Sequence, residues 1–138
     1  MRSNTLRIST AVMNSLRVAI VEDSTSIRMR LVELVEEIVG MKVVGEATTE
    51  IGAIELCRRE HPDAIILDMQ LEVGNGLGVL KAMGYSKMLA KPTIIVLTNF
   101  PSPSVERAAI ALGATVFLDK SNEFHKVGPL LQSAASAN

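Results

Sequence analysis

Short apolar runs alternate along the chain with longer segments in which apolar residues recur every three or four positions. The runs are "RVAIV", "KVVGEA", "AIIL", "TIIVL" and "TVFL", and they predict five β-strands. Three of these runs are continuously apolar, which is typical of parallel strands covered on both faces. The pattern therefore predicts a central sheet with helices packed on each side.

The segments between the runs predict helices, and the first of them, "STSIRMRLVELVEEIVG", gives the clearest signal. We expect Ser24 to cap this helix and Gly40 to end it. Its buried stripe is predicted to comprise four residues, Ile27, Leu31, Leu34 and Ile38. A second helix, "TTEIGAIELCRRE", places Ile51, Ile54 and Cys57 on its inner face.

Three further helices complete the pattern. One is expected over residues 77–85, and another in "PSPSVERAAIALGA", opened by proline and ended by Gly113. Because Gly128 and Pro129 interrupt the last segment, we expect a loose turn there and a short helix from about Pro129. Residues 1–15 are polar without periodicity, which predicts a flexible tail, with Met13 as an alternative start, before a domain over residues 16–138.

Five alternations of strand and helix predict an α/β fold. We expect a flavodoxin-like, doubly wound sheet of five parallel strands in the order 2-1-3-4-5, with five helices and right-handed crossovers. In such sheets the functional crevice lies at the carboxyl ends of the strands, where the strand order reverses. The residues that end the strands are therefore the candidates for function.

Composition narrows the possible partners and the compartment. The chain of 138 residues has 14 Lys and Arg against 15 Asp and Glu, so no basic surplus favours direct binding of nucleic acid. Its single cysteine, Cys57, cannot form an intramolecular disulfide, and no apolar segment is long enough to predict membrane insertion. We expect a cytoplasmic domain in which Cys57 is a packing residue.

Charged and hydroxyl residues stand at the ends of the predicted strands. Glu22 and Asp23 follow the first strand, Asp68 ends the third, Thr98 ends the fourth, and Lys120 follows the fifth. Carboxylates brought together would repel one another unless a cation lay among them, and Mg²⁺ prefers oxygen ligands and phosphate. Each of these residue types is common at a strand end, but their occurrence together at the ends of four strands predicts a site for Mg²⁺ and a phosphoryl group.

The motifs that carry this set resemble a known family. They are "VED", "IILDMQL" with Gly76 eight residues after its aspartate, "VLTN" and "FLDKS". Over residues 16–132 the chain resembles the receiver domain of two-component response regulators, in the form of a stand-alone single-domain regulator. The resemblance implies that Asp68 is the phosphoacceptor and also a ligand of Mg²⁺. It also implies roles for six other residues: Glu22, Asp23 and the Gln70 backbone carbonyl in binding Mg²⁺, Lys120 in contacting phosphate, and Thr98 and Phe117 as the switch pair.

By the same resemblance, the domain takes a phosphoryl group from a sensor histidine kinase or a histidine phosphotransfer protein. It then promotes its own phosphorylation and dephosphorylation and signals by protein–protein contact, so we do not expect an enzyme that acts on a separate substrate. If the chain is complete, it leaves no room for an output domain. A chemotaxis-type regulator, a phosphorelay intermediate and a receiver fragment of a larger transcriptional regulator all fit.

The sequence departs from the family pattern in the residues around the site. Glu72 replaces a frequent proline, which predicts a more flexible loop in "QLEVGNG". Asn99 stands where a small residue is frequent, which predicts narrower access to the phosphoryl group. Gln70 occupies a position that influences the rate of acyl phosphate hydrolysis.

Two other classes use similar residues. A haloacid dehalogenase-type phosphatase also needs Asp, Lys, Thr and Mg²⁺, but it requires a second acid two residues after the nucleophile, where this chain has Gln70. A flavin-binding module of the same fold needs a phosphate-binding loop after the first strand. In "EDSTSIR" the leading acids would repel that phosphate, so both classes are disfavoured.

Overall fold

A computed structural model describes residues 15–137, and its centre is one parallel sheet. The strands are β1 (Leu16–Val21), β2 (Met41–Ala47), β3 (Ala64–Leu67), β4 (Thr93–Thr98) and β5 (Val116–Asp119). They pair in the order β2-β1-β3-β4-β5, and every pairing is parallel. The predicted flavodoxin-like order is confirmed. The tail predicted for residues 1–15, with Met13, falls almost wholly outside the described residues.

Among residues 15–137, five helices of eight residues or more connect or follow the strands. They are α1 (Thr25–Glu36), α2 (Glu50–Glu60), α3 (Gly76–Met83), α4 (Pro103–Ala111) and α5 (Val127–Ala137). The side chains of four N-cap residues, Ser24, Thr49, Asn75 and Ser102, each accept a hydrogen bond from an amide of the first turn.

Within the described part of the chain, no helix combines the length and the hydropathy needed to cross a membrane.

The helices cover both faces of the sheet and form two separate cores. One core joins α1 and α5 to the sheet through residues such as Leu31, Val35 and Leu131. The other joins α2, α3 and α4 to the opposite face through residues such as Leu56 and Leu80. Consecutive residues of β1 point to alternate cores, which explains why the strands read as continuous apolar runs.

The predicted end of α1 at Gly40 is wrong. The helix ends at Glu36, and the Ile38 amide bonds to the Val35 carbonyl in a tighter turn. Gly40 follows with a φ of +85°, a conformation that strongly favours glycine, and its carbonyl accepts from the Leu16 amide. Gly40 therefore serves the turn into β2 and not the helix end.

Two other local expectations also need correction. The last helix begins at Val127, two residues before the expected start at Pro129, because a proline in the first helical turn lacks only an amide that would have no partner there. It is preceded by a helical turn at Lys120–Glu123 and a 3-10 turn at Phe124–Lys126, where a loose turn was expected. Ile51, in the first turn of α2, is 69% exposed and does not belong to the inner face predicted for that helix.

Candidate functional site

The predicted site residues meet at the carboxyl edge of the sheet. Glu22 follows β1, Asp68 follows β3, Thr98 ends β4, and Lys120 follows β5. These four are the buried polar or charged side chains among residues 15–137, with exposures between 1% and 7%. Asp23, in contrast, is exposed to solvent. The parallel order of the strands places all five at one edge of the fold.

Lys120 links the two buried carboxylates. Its Nζ donates to Glu22 Oε1 at 2.7 Å and to Asp68 Oδ2 at 3.0 Å. The second oxygen of Glu22 accepts from the Ser24 amide at 2.9 Å, and the second oxygen of Asp68 accepts from the Gln70 amide at 3.2 Å. Both carboxylates are therefore fixed in orientation, and each accepts a hydrogen bond from Lys120 through one of its oxygens.

Burial and charge shift the titration of this cluster. Burial raises the pKa of Glu22, and the neighbouring Asp68 charge raises it too, while hydrogen bonds from Lys120 and the Ser24 amide lower it. Burial by itself would lower the pKa of Lys120. Its hydrogen bonds to Glu22 and Asp68 outweigh that effect, so the pKa of Lys120 lies above its ordinary value. Lys120 is therefore a permanent cation at neutral pH.

Three carboxylates at this edge have the chemistry of a site for a hard divalent cation. Glu22, Asp23 and Asp68 each offer an oxygen, and these oxygens lie within 4.8 Å of one another. Carboxylate oxygens in that number suit Mg²⁺, which binds through a few carboxylates and keeps several waters. The residues present therefore fit the metal that the sequence predicted.

Thr98 is the one residue of the site with an unsatisfied polar atom. Its Oγ1 is buried and has no hydrogen-bond partner within residues 15–137. A buried hydroxyl without a partner costs about 1–3 kcal/mol, so such groups are rare and call for an explanation. Thr98 lies at the end of β4, paired in register with Asp119. The unpaired hydroxyl is thus available to a group that arrives at this edge.

Phe117 and Gln70 lie close to this edge. Phe117 is partly buried and packs against the core beneath α4, and it pairs in register with Val96 of β4. Gln70 is exposed, and its backbone forms an antiparallel bridge with Asn75, which closes the loop after β3. The fold thus brings every predicted site residue to this edge or to the strand or loop beside it.

Sequence reasoning missed Glu50, which contacts the loop after β3. The Glu50 amide donates to the Val73 carbonyl, and its carboxylate accepts from the Asn75 amide at 3.0 Å. In the sequence Glu50 is only an acid in the first turn of a helix, where acidic residues are common. No local signal distinguishes it, because its partners lie more than twenty residues away.

Comparison with known proteins places the chain in a family. Residues 18–130 match the family described as the response regulator receiver domain. The chain is 35% identical over 105 residues to protein-glutamate methylesterase/protein-glutamine glutaminase 3 of Burkholderia thailandensis, and 33% identical over 120 residues to the transcriptional regulatory protein PdtaR of Mycobacterium tuberculosis. The chain therefore belongs to the receiver domains of two-component response regulators.

A solved structure agrees in fold. The response regulator domain of Thermotoga maritima CheB superposes with a TM-score of 0.75 and 27% identity, covering 89% of this chain and 95% of that one. The two curated relatives match 76% and 87% of this chain, but the matches span only 29% and 57% of their own lengths. The part that these proteins have in common with the chain is the receiver domain.

Proposed function

We propose that the domain over residues 16–138 is a phosphorylation switch whose acceptor is Asp68. The observation that carries the proposal is the contact of Lys120 with Asp68 at 3.0 Å, beside two further carboxylates and an unpaired hydroxyl. A carboxylate needs no activating base, so Asp68 can attack a phosphoryl group directly.

In the transfer step, one Asp68 oxygen bonds to phosphorus while the bond from phosphorus to the donor nitrogen breaks. The electron pair of that bond returns to the donor imidazole. Lys120 offers a fixed positive charge to the transferred oxygens. Mg²⁺ would neutralise part of the phosphoryl charge. Its ligands would be Glu22, Asp23, Asp68 and the Gln70 carbonyl. Asp23 is exposed and therefore accessible to an ion from solvent.

The signal is proposed to leave the site through Thr98 and Phe117. A phosphoryl oxygen on Asp68 is an acceptor for the unpaired Thr98 hydroxyl, so the end of β4 and the loop after it move inward. Phe117 is only partly buried and can fill the vacated space. Phe117 is among the residues that line a groove of about 440 Å³, together with Lys126 and Leu130. A partner that contacts α4, β5 and α5 would detect this change.

The donor is proposed to be a sensor histidine kinase or a histidine phosphotransfer protein. The output is proposed to be contact with a protein partner or a linked output domain, in the cytoplasm, where kinases find ATP. No separate substrate is turned over in this scheme. The acyl phosphate is labile, so the domain acts as a timed signal.

The test is intact-mass measurement after incubation with acetyl phosphate and Mg²⁺. The wild-type protein should gain one phosphoryl group, and Asp68→Asn should gain none. Asp63→Asn is the matched control, because Asp63 precedes the same strand at its opposite end and should not affect acceptance. Equal phosphorylation of Asp68→Asn and the wild type would refute the assignment.

A further inference from the structure

The loop after the proposed acceptor is held in place by the start of α2. The Glu72 amide donates to the Thr48 carbonyl at 3.2 Å, and the Glu50 amide donates to the Val73 carbonyl at 2.9 Å. Proline, the residue that the family often has at position 72, could not provide the first of these donors. The contacts are those of an anchored loop, although the missing proline suggested a flexible one.

The Glu50 carboxylate completes the anchor. Its Oε1 accepts from the amide of Asn75, the N-cap of α3, at 3.0 Å. A Cβ added to Gly74 or to Gly78 would overlap the Glu50 side chain, so the two glycines leave the space that this side chain occupies. A negative charge at a helix N-terminus is also favourable, because the first-turn amides carry partial positive charge.

The contacts run from Glu50 to the acceptor in three steps. Glu50 holds the Asn75 amide, Asn75 bridges to Gln70 across the base of the loop, and the Gln70 amide donates to Asp68 Oδ1. Gln70 is also the residue whose carbonyl is proposed to bind Mg²⁺. The position of Glu50 thus bears on both the acceptor carboxylate and one metal ligand.

We propose that Glu50 is a positioning residue that preorganises the Gln70 carbonyl and the Asp68 carboxylate for Mg²⁺. The inference rests on the proposed function for the identity of the ligands. Without the Glu50 acceptor, the loop would sample conformations in which the Gln70 carbonyl points away, and ordering it would reduce the measured affinity for the ion.

The first experiment compares Glu50→Ala, Glu50→Gln and the wild type by Mg²⁺ titration and by amide hydrogen exchange in metal-free protein. Glu50→Ala should raise the Mg²⁺ dissociation constant and speed exchange of the Asn75 amide, each by about three- to tenfold, the equivalent of one hydrogen bond. Glu50→Gln keeps an acceptor oxygen and should stay within about twofold of the wild type. Glu55→Ala, which removes an exposed charge from the same helix, is the control.

A second experiment tests the same contact from the other side. Gly78→Ala places a methyl group where the Glu50 carboxylate lies, so it should weaken Mg²⁺ binding although alanine favours helix. In a Glu50→Ala background the same substitution should have no further effect, which makes the two changes non-additive. This double-mutant cycle separates the loss of the contact between Glu50 and the loop from a general loss of stability.

Unchanged Mg²⁺ affinity and unchanged Asn75 exchange in Glu50→Ala would overturn the proposal, and so would additive effects in the cycle. The proposed function fails differently, since its test is phosphorylation of the wild type at Asp68. A protein that binds Mg²⁺ through this loop but accepts no phosphate would leave the role of Glu50 standing.

Discussion

The ammonium group of Lys120 lies 3.0 Å from the Asp68 carboxylate, although 52 residues separate them in sequence. The same group lies 2.7 Å from Glu22, and all three side chains are buried. Two buried carboxylates without a cation would be strongly unfavourable. Lys120 is therefore part of the stability of the domain as well as of its site.

Lys120→Met should destabilise the metal-free protein by about 3–5 kcal/mol, because it leaves buried charge uncompensated. Mg²⁺ should raise the melting temperature of this variant more than that of the wild type, since the ion would restore positive charge among the carboxylates. Lys126→Met is the control. Its partner Glu123 is a surface residue, and ion pairs of this kind contribute little to stability because solvent screens them. Equal losses in thermal unfolding of the two variants would contradict this account.

Thr98→Val should stabilise the protein by about 1 kcal/mol, because it replaces an unpaired buried hydroxyl with a methyl group of similar size. Thr115→Val offers the opposite case. The Thr115 hydroxyl accepts from the Ile94 amide at 2.9 Å, so its loss should cost about 1–3 kcal/mol. Urea unfolding measures both changes. A destabilised Thr98→Val would mean that the hydroxyl has a partner in solution.

The Thr98 variant should also uncouple the switch. With beryllofluoride as a mimic of the phosphoryl group, amide shifts over residues 102–112 and at Phe117 should be large in the wild type and much smaller in Thr98→Ala or Thr98→Val. Binding of beryllofluoride at Asp68 should persist in both. Equal shifts in wild type and variants would exclude this route for the signal.

Cys57 should be unreactive in the folded protein. Its side chain is 1% exposed, and burial raises the pKa of its thiol, so thiolate is scarce and inaccessible at pH 8. A disulfide reagent such as DTNB should react only after denaturation in guanidinium. Rapid reaction of the native protein would show that α2 opens readily.

The free energy of unfolding should fall between neutral and strongly alkaline pH. Burial, and then the nearby Cys57, raise the pKa of Tyr85 above its ordinary value. The unfolded chain therefore loses its tyrosine proton at lower pH than the folded chain, which favours unfolding as pH rises. Tyr85→Phe should show a shallower decline in urea unfolding at pH 8 to 11. An identical decline would assign the effect to other groups.

The strands and their order were predictable from the sequence because they depend on local patterns. Continuous apolar runs separated by amphipathic segments specify a sheet covered on both faces, and short right-handed connections leave few topologies. The positions of Asp68 and Lys120 at strand ends followed from the same pattern. Helix ends were less predictable, as Gly40 and Pro129 show, since turn residues near a helix end can serve the next connection.

Contacts between distant segments were decided by the tertiary structure alone. Among residues 15–137, the segments packed around the Thr98 hydroxyl offer it no hydrogen-bond partner, whereas the hydroxyl of Thr115, the same residue type, is paired. Glu50 looks like any acid in a first helical turn, yet it anchors the loop beside the acceptor. Periodicity and composition report the burial of a face, whereas hydrogen bonds of 3 Å depend on how separate elements pack, which no local pattern encodes.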